Sequence, residues 1–245
     1  MMQLSIGHLF PDLMNIYADR GNVECLKKRS EWRGIQVSVH QINNEMDLHG
    51  VHVDLLIVGG GQDRQQLEAS TALQGAVGHF VKHAFENNVV MLAVCGGFQL
   101  MGVRYVDADG LEIPGLGIFD METIHPGRQI RRAVGDIVIE TQKGQLVGYE
   151  NHGGQTYLGG STEPLGKVLV GHGNNSADDT EGARIETAYG TYLHGSLLPK
   201  NPHFADHLIH LACQHYEPGF KLSELDDELE WCAHNGVLKI SGRSD

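Results

Sequence analysis

Positive charge is scarce in this 245-residue chain: 18 lysines and arginines stand against 31 aspartates and glutamates, a formal net charge of −13. Such a surface repels phosphate backbones and anionic lipid, so nucleic acid and membrane are excluded as principal partners. Cysteine is sparse too. Cys25, Cys95, Cys213 and Cys232 are widely scattered with no C-x-x-C pair. That excludes a disulfide framework and a zinc–thiolate site and fits reduced thiols in a cytosolic compartment. No apolar run approaches the roughly 20 residues that cross a bilayer, and no basic-then-apolar signal segment opens the chain. A cytoplasmic location is therefore expected. Internal repeats and low-complexity linkers are missing as well, so one domain over residues 1–245 is expected. The P-loop pattern G-x-x-x-x-G-K-[ST] is absent, and so is H-E-x-x-H. Without the latter, and with no Cys or Asp to complete a site, His79 with His83 and His203 with His207 and His210 read as solvent-facing helix histidines. No metal is expected.

What is present has an α/β rhythm. Residues 3–9 and 36–41 have strand character, and residues 53–58 and 89–94 are continuous apolar runs of the kind buried on both faces of a sheet. Residues 13–33 read as a helix, with Leu13, Ile16, Tyr17, Val23 and Leu26 near helical spacing and Gly34 closing it. Residues 67–87 read as one long helix. This order implies a mostly parallel sheet with helices on both faces. Downstream the texture changes: 110–117 reads as loop and 120–132 as polar and irregular. Residues 136–140 and 146–150 read as antiparallel strands joined at Lys143-Gly144, followed by a loop over 151–154. Further strands are expected at 168–171 and 187–193, a helix at 204–215, and a last helix capped by Ser223 and running to about His234.

The chain is organised around residues 92–102. A buried strand ends at Cys95, two glycines follow, and Phe98 begins a helix. A strand turning sharply into a helix lifts the residue at the bend above the sheet edge, the logic of the nucleophile elbow. Here the nucleophile is sulfur and Ala93 replaces the first glycine. The helix N-terminus is expected to favour the Cys95 thiolate. Gly59, Gly60 and Gly61 end the preceding buried run at the edge where open α/β sheets bind ligands. Backbone N–H groups from this loop and from Gly96 would form an oxyanion hole. A thiol needs a base, and there are 15 histidines. His194 is the first candidate, because a buried strand over 190–193 delivers it to the same edge and Gly195 lets its backbone approach a substrate. His152 is the second.

Together these stretches resemble the class I, triad-type glutamine amidotransferases, and within them the cobyric-acid-synthase-like branch. The resemblance rests on 93–97, the glycine loop with Gln62-Asp63-Arg64, residues 11–22, 135–140, 150–154 and 190–202. It implies a three-layer flavodoxin-like α/β sandwich with a mostly parallel central sheet and an antiparallel extension. It also implies glutamine hydrolysis through a γ-glutamyl thioester on Cys95. In this reading His194 is the base that then protonates the leaving ammonia, Gly60 and Gly96 are the oxyanion donors, and Gln99 lies near the substrate. Arg132 matches the cation for the α-carboxylate, with Arg131 and Arg128 close behind. The implied partners are L-glutamine and a separate Mur-ligase-like (MurT-like) ATP-dependent subunit. That subunit would hold ATP and Mg and amidate D-glutamate in the lipid II stem peptide at the inner face of the membrane, while this chain itself needs no cofactor. A cobyrinic or cobyric acid amidase and a non-catalytic glutamine-binding regulator are the alternatives. One departure stands out: many relatives carry Glu two residues after the histidine, and here that position is Ser196. Glu150 is the candidate to replace it from within the chain.

Overall fold

Strands with no polar side chain can only sit in the middle of a sheet covered on both faces. The computed structural model describes residues 2–16 and 19–242 and places the two all-apolar runs there. The order begins β1 (Gln3–Leu9), α1 (Arg20–Glu31), β2 (Gln36–Ile42), β3 (Leu55–Val58), α2 (Asp63–Leu73), α3 (Ala76–Glu86), β4 (Val90–Val94), α4 (Gly96–Met101). It continues β5 (Arg104–Val106), β6 (Glu112–Pro114), β7 (Met121–Ile124), β8 (Ala133–Thr141), β9 (Gly144–His152), β10 (Gln155–Leu158). Then come β11 (Gly166–Val170), β12 (Thr180–Glu181), β13 (Ala183–Ile185), β14 (Ala188–Thr191), α5 (Pro202–Tyr216) and α6 (Glu228–Ile240).

The main sheet has the order β13-β14-β4-β3-β1-β2. Only β13 runs antiparallel to its neighbour; the other pairs are parallel. The run 2-1-3-4, read inward from the β2 edge, is the flavodoxin-like winding. Val58 lies opposite Ala93 and Thr191 opposite Val94. This register brings the residues that follow β3, β4 and β14 to one carboxyl edge. A second sheet, β10-β7-β5-β6, and a third, β12-β11-β8-β9, form the extension. The third sheet is tied to the main edge by a backbone bridge between Tyr149 and His194, whose N–H donates to the Tyr149 carbonyl at 2.8 Å. The buried Arg29 of α1 clamps the helices, meeting Asp206 of α5 at 2.7 Å and Asp227, which precedes α6, at 2.6 Å.

Several expectations change in three dimensions. The helix expected over 13–33 begins only at Arg20, whose N–H donates to Asn15 Oδ1 at 2.9 Å, and residues 11–13 form a turn instead. Tyr17, counted on that helix face, lies outside the described residues. The helix expected over 67–87 is two, α2 and α3, because Gly75 takes an extended conformation (φ −115°, ψ −147°) between them. Residues 110–117 and 120–132 contain β6 and β7, which at three and four residues are too short to show periodicity. Residues 151 and 152 continue β9 rather than starting a loop. Ser223 does not cap the last helix, which starts at Glu228 after Asp227. His79 and His83 are exposed as expected, but His203, His207 and His210 are partly buried. His203 stacks on Trp231 and His207 Nε2 hydrogen-bonds Tyr189 Oη at 2.9 Å, contacts that apolar periodicity in α5 does not reveal. Among the described residues no helix is long and apolar enough to cross a membrane, and no His, Cys, Asp or Glu cluster could hold a metal ion.

Candidate active site

The bend after β4 is as sharp as the sequence implies. Cys95 stands at the junction with φ 52° and ψ −108°, a conformation an L-residue adopts only under strain of about 1–3 kcal/mol. Its N–H donates to the Thr191 carbonyl at 2.8 Å, which ties the bend to the end of β14. The turn has no room for side chains: a Cβ on Gly96 would come within 2.9 Å of the Gly61 nitrogen, and one on Gly97 within 2.8 Å of the Val58 and Gly59 carbonyl oxygens. The glycine loop and the elbow are thus pressed together, and the Gly97 N–H donates to the Gly59 carbonyl at 3.0 Å.

A cleft of about 520 Å³ opens above Cys95. Its walls include Gln99, Arg132 and His152 from the sequence reading. They also include Asp63, Arg64, Tyr105 and Asn151, which that reading did not single out as site residues. Asp63 and Arg64 follow the glycine loop after Gln62 and Asn151 lies in the 150–154 stretch, which were the available signals; Tyr105 carried none. Asp63 Oδ1 accepts from Tyr105 Oη at 3.1 Å. Arg132 is held by Asn151, donating to its Oδ1 and its backbone carbonyl at 3.2 Å each. Arg128 instead pairs with Asp109 at 2.6 Å, and neither it nor Arg131 is among the lining residues. Of the three arginines, the cleft therefore receives Arg132.

The electrostatics differ from the expectation for a helix N-terminus. The Cys95 thiol is pushed up to about 12, first by burial and then by the Asp19 carboxylate; the Gly96 N–H and Arg132 oppose the shift without reversing it. The six-residue helix α4 does not outweigh removal from water. Both oxyanion candidates are engaged in this state. The Gly60 N–H donates to Asp19 Oδ2 at 2.7 Å, and the Gly96 N–H sits on the thiol. Asp19→Asn keeps an acceptor for Gly60 while removing the negative charge. Alkylation of Cys95 by iodoacetamide at fixed pH should then accelerate roughly tenfold, as expected when one nearby like charge is lost. Peptide mass spectrometry over a time course measures this, and an unchanged rate would mean that Asp19 exerts no field at the sulfur.

His194 ends the same edge and is buried. Its imidazole is driven down to about 3, chiefly by burial and further by His152 and Arg132, with Glu150 pulling the other way. At neutral pH it is an uncharged acceptor. His152 faces the cleft, with Nδ1 2.9 Å from the Gly154 carbonyl and its ring stacked on Tyr192. Glu150, the internal candidate for an orienting acid, is fully buried in β9. Burial would raise its carboxyl, but His152, His172 and the N–H groups of His172 and Gly173 hold it below the ordinary range. Its oxygens reach the 172–173 turn: Oε1 meets His172 Nδ1 and N at 2.7 Å each, and Oε2 meets Gly173 N at 3.0 Å. Ser196 takes φ 51° in the turn after His194.

Residues 5–202 match the CobB/CobQ-like glutamine amidotransferase domain. The chain is 40% identical over 244 residues to the lipid II isoglutaminyl synthase (glutamine-hydrolyzing) subunit GatD of Staphylococcus aureus, covering 99% of this chain and 98% of that protein. It is 32% identical over 171 residues to the cobyric acid synthase of Listeria monocytogenes, covering 65% of this chain but only 32% of that one. A crystal structure of a glutamine amidotransferase superposes with a TM-score of 0.58 at 18% identity, over 84% of this chain and 98% of the other.

Proposed function

The chain belongs to the CobB/CobQ-like glutamine amidotransferase family, and from that premise we propose that it is the glutaminase subunit of a lipid II isoglutaminyl synthase. It hydrolyses L-glutamine and passes the ammonia to a separate Mur-ligase-like subunit, which holds ATP and Mg and amidates D-glutamate of the stem peptide. That work takes place in the cytoplasm, at the inner face of the membrane where a lipid-linked acceptor is presented. The observation that carries the reading is the strained Cys95 elbow opening into a cleft lined by Arg132. Length favours it over the cobyric acid alternative, since the chain matches nearly all of the glutaminase subunit and only a third of the cobyric acid synthase.

In this reading Cys95 Sγ attacks the side-chain carboxamide carbon while His194 takes the thiol proton. The C–N bond then breaks, His194 returns the proton to the nitrogen, and ammonia leaves a γ-glutamyl thioester that water hydrolyses to glutamate. Gly60 and Gly96 serve the tetrahedral oxyanion, for which Asp19 must release the Gly60 N–H. His194 is favoured over His152 as base because it closely follows the strand that also anchors the Cys95 backbone, whereas one face of His152 is covered by Tyr192. The diazoketone DON, a glutamine mimic, tests the reading: it should label Cys95, and glutamine should protect. Absence of labelling in the presence of the ligase would overturn it.

Arg132→Ala should raise KM for glutamine by roughly 10- to 150-fold with a smaller change in kcat. A charge-assisted carboxylate bond of about 1.5–3 kcal/mol, remote from the reacting carbon, contributes mainly uniform binding. Steady-state kinetics decide this; an unchanged KM would place the carboxylate clamp elsewhere, with the cleft residue Arg64 next in line.

A further inference from the structure

A second cavity, of about 380 Å³, opens between the β8–β9 turn, β11, β13, β14 and α5. It shares no lining residue with the cleft above Cys95. β9 spans the distance between them: Gly144 follows the turn at this cavity, and His152 at the other end lines the cleft. The volume is that of a small-molecule pocket. Its floor is apolar and closed. Leu165, Tyr189 and Phe204 are buried there, and Tyr189 meets Phe204 edge to face with centroids 5.5 Å apart.

The rim is basic, on a chain whose net charge is −13: Lys143, Lys167 and Arg184 all line it. Arg184 stands directly opposite Tyr189 in the β13–β14 register, and Tyr189 Oη hydrogen-bonds His207 Nε2 at 2.9 Å. The His207 imidazole is held down to about 4, first by burial and then by Lys143, His210, Arg184 and His203. At neutral pH it is therefore uncharged, and the fields of Lys143 and Arg184 meet at it. Acids offset this charge only in part. Glu140, the one carboxylate among the described lining residues, lies opposite Lys167 in the β8–β11 register and accepts from Gln145 Nε2 at 3.2 Å. Glu163 pairs with Arg184 from outside the cavity, its own side chain 68% exposed. Neither lysine ammonium has a hydrogen bond or ion pair among the described residues.

Like charges gathered on one rim repel each other, and a multiply charged anion relieves that repulsion. A singly charged carboxylate satisfies one cation and leaves the others. A phosphate monoester carries close to two charges and three acceptor oxygens, which suits two ammonium point charges and a guanidinium fork. The apolar floor suits an organic body attached to that phosphate. We propose that this cavity is a binding site for a small, ring-bearing phosphate monoester of mononucleotide size, its phosphate held by Lys143, Lys167 and Arg184 and its ring over the floor of Leu165, Tyr189 and Phe204. The site is separate from the glutamine cleft and does not depend on the glutaminase reading.

Calorimetric titration of the full chain with adenosine monophosphate, and separately with inorganic phosphate, tests this. The nucleotide should bind one to one and more tightly than inorganic phosphate, because only it reaches the floor. Added salt should weaken it, as expected for charges at a solvent-facing rim. The double variant Lys143→Gln, Lys167→Gln should lose about tenfold or more in affinity, the scale set by losing charge-assisted hydrogen bonds. Both lysines are exposed, so the fold should tolerate these changes. Lys221→Gln removes an exposed lysine outside the cavity and should bind as wild type. Arg132→Ala should also bind as wild type, since Arg132 belongs to the cleft. No saturable binding at millimolar nucleotide would overturn the proposal. So would an equal loss in Lys221→Gln, which indicates diffuse charge attraction, or a nucleotide no tighter than inorganic phosphate. Loss of binding in Arg132→Ala would place the anion above Cys95 and overturn it as well.

Discussion

Cys95→Ala should abolish glutamine hydrolysis, a loss of about six orders of magnitude if the residue is the nucleophile, as removal of a nucleophile costs in well-studied hydrolases. The fold should survive. Alanine is smaller than cysteine, keeps the Cβ that the backbone at φ 52° already tolerates, and leaves the N–H bond to the Thr191 carbonyl in place. The elbow stays braced by the close contacts of Gly96 and Gly97 with the loop after β3. Thermal unfolding should therefore shift by only a few degrees, about what 1 kcal/mol produces in a chain of this size. Retained glutaminase activity in the purified alanine variant, with contaminants excluded, would remove the function assigned here. Cys25→Ser, Cys213→Ser and Cys232→Ser should each keep near-normal turnover. Cys213→Ser is the one expected to lose stability, because its sulfur is buried in the core.

The second large effect is activation by the ligase. The isolated chain should be a poor glutaminase, and adding the partner should raise kcat by about 10² or more. The reason lies in His194. A base must not only accept a proton but hold it, and burial together with the fields of His152 and Arg132 drives this imidazole down to about 3. Ser196 occupies the place where a carboxylate would offset that penalty, and the hydrogen bonds of Glu150 go to His152, His172 and Gly173. In the serine-protease template, replacing the orienting acid by its amide lowers kcat by about 10⁴, and a cysteine nucleophile, being more acidic, should lose less. A carboxylate contributed across the interface would restore the balance and would keep ammonia from being released when no ligase is bound. The pH dependence carries the sign. His194 works only when neutral, so in the isolated chain its titration leaves the rate unaffected down to strongly acidic pH. An added carboxylate favours the imidazolium, raises its pKa and brings the acid limb of kcat/KM toward neutrality. Assays with and without ligase, across pH, settle the matter. Equal activity in both would refute activation, and a collapse of the lone chain in Glu150→Gln would assign the acid to Glu150.

Much of this site could be read along the chain because its determinants are local. Leu55–Val58 and Val90–Val94 carry no polar side chain, so burial on both faces follows from composition alone. A cysteine between such a strand and two glycines forces the sharp bend, and Gly59 to Gly61 mark the neighbouring strand's end in the same way. His194 after a buried strand belongs to the same class of signal. Even the mostly parallel sheet follows from the alternation of strands and helices. Other features depend on which residues the fold brings together. Asp19 and Gly60 are 41 residues apart, Gln99 and Tyr192 are 93 apart, and neither pair leaves a periodic trace. The same holds for β6 and β7, which are strands because β5 pairs with both and β10 with β7. The thiol was expected to be acidified by its helix and is instead raised, because burial depends on everything packed above the sulfur while the helix is only six residues long. Sequence determined where the nucleophile stands and which edge of the sheet it serves. Tertiary structure alone decided the charge state of Cys95 and His194, the engagement of the Gly60 donor and the pairing of Gln99 with Tyr192, since each is set by the field and hydrogen bonds of residues distant in the chain.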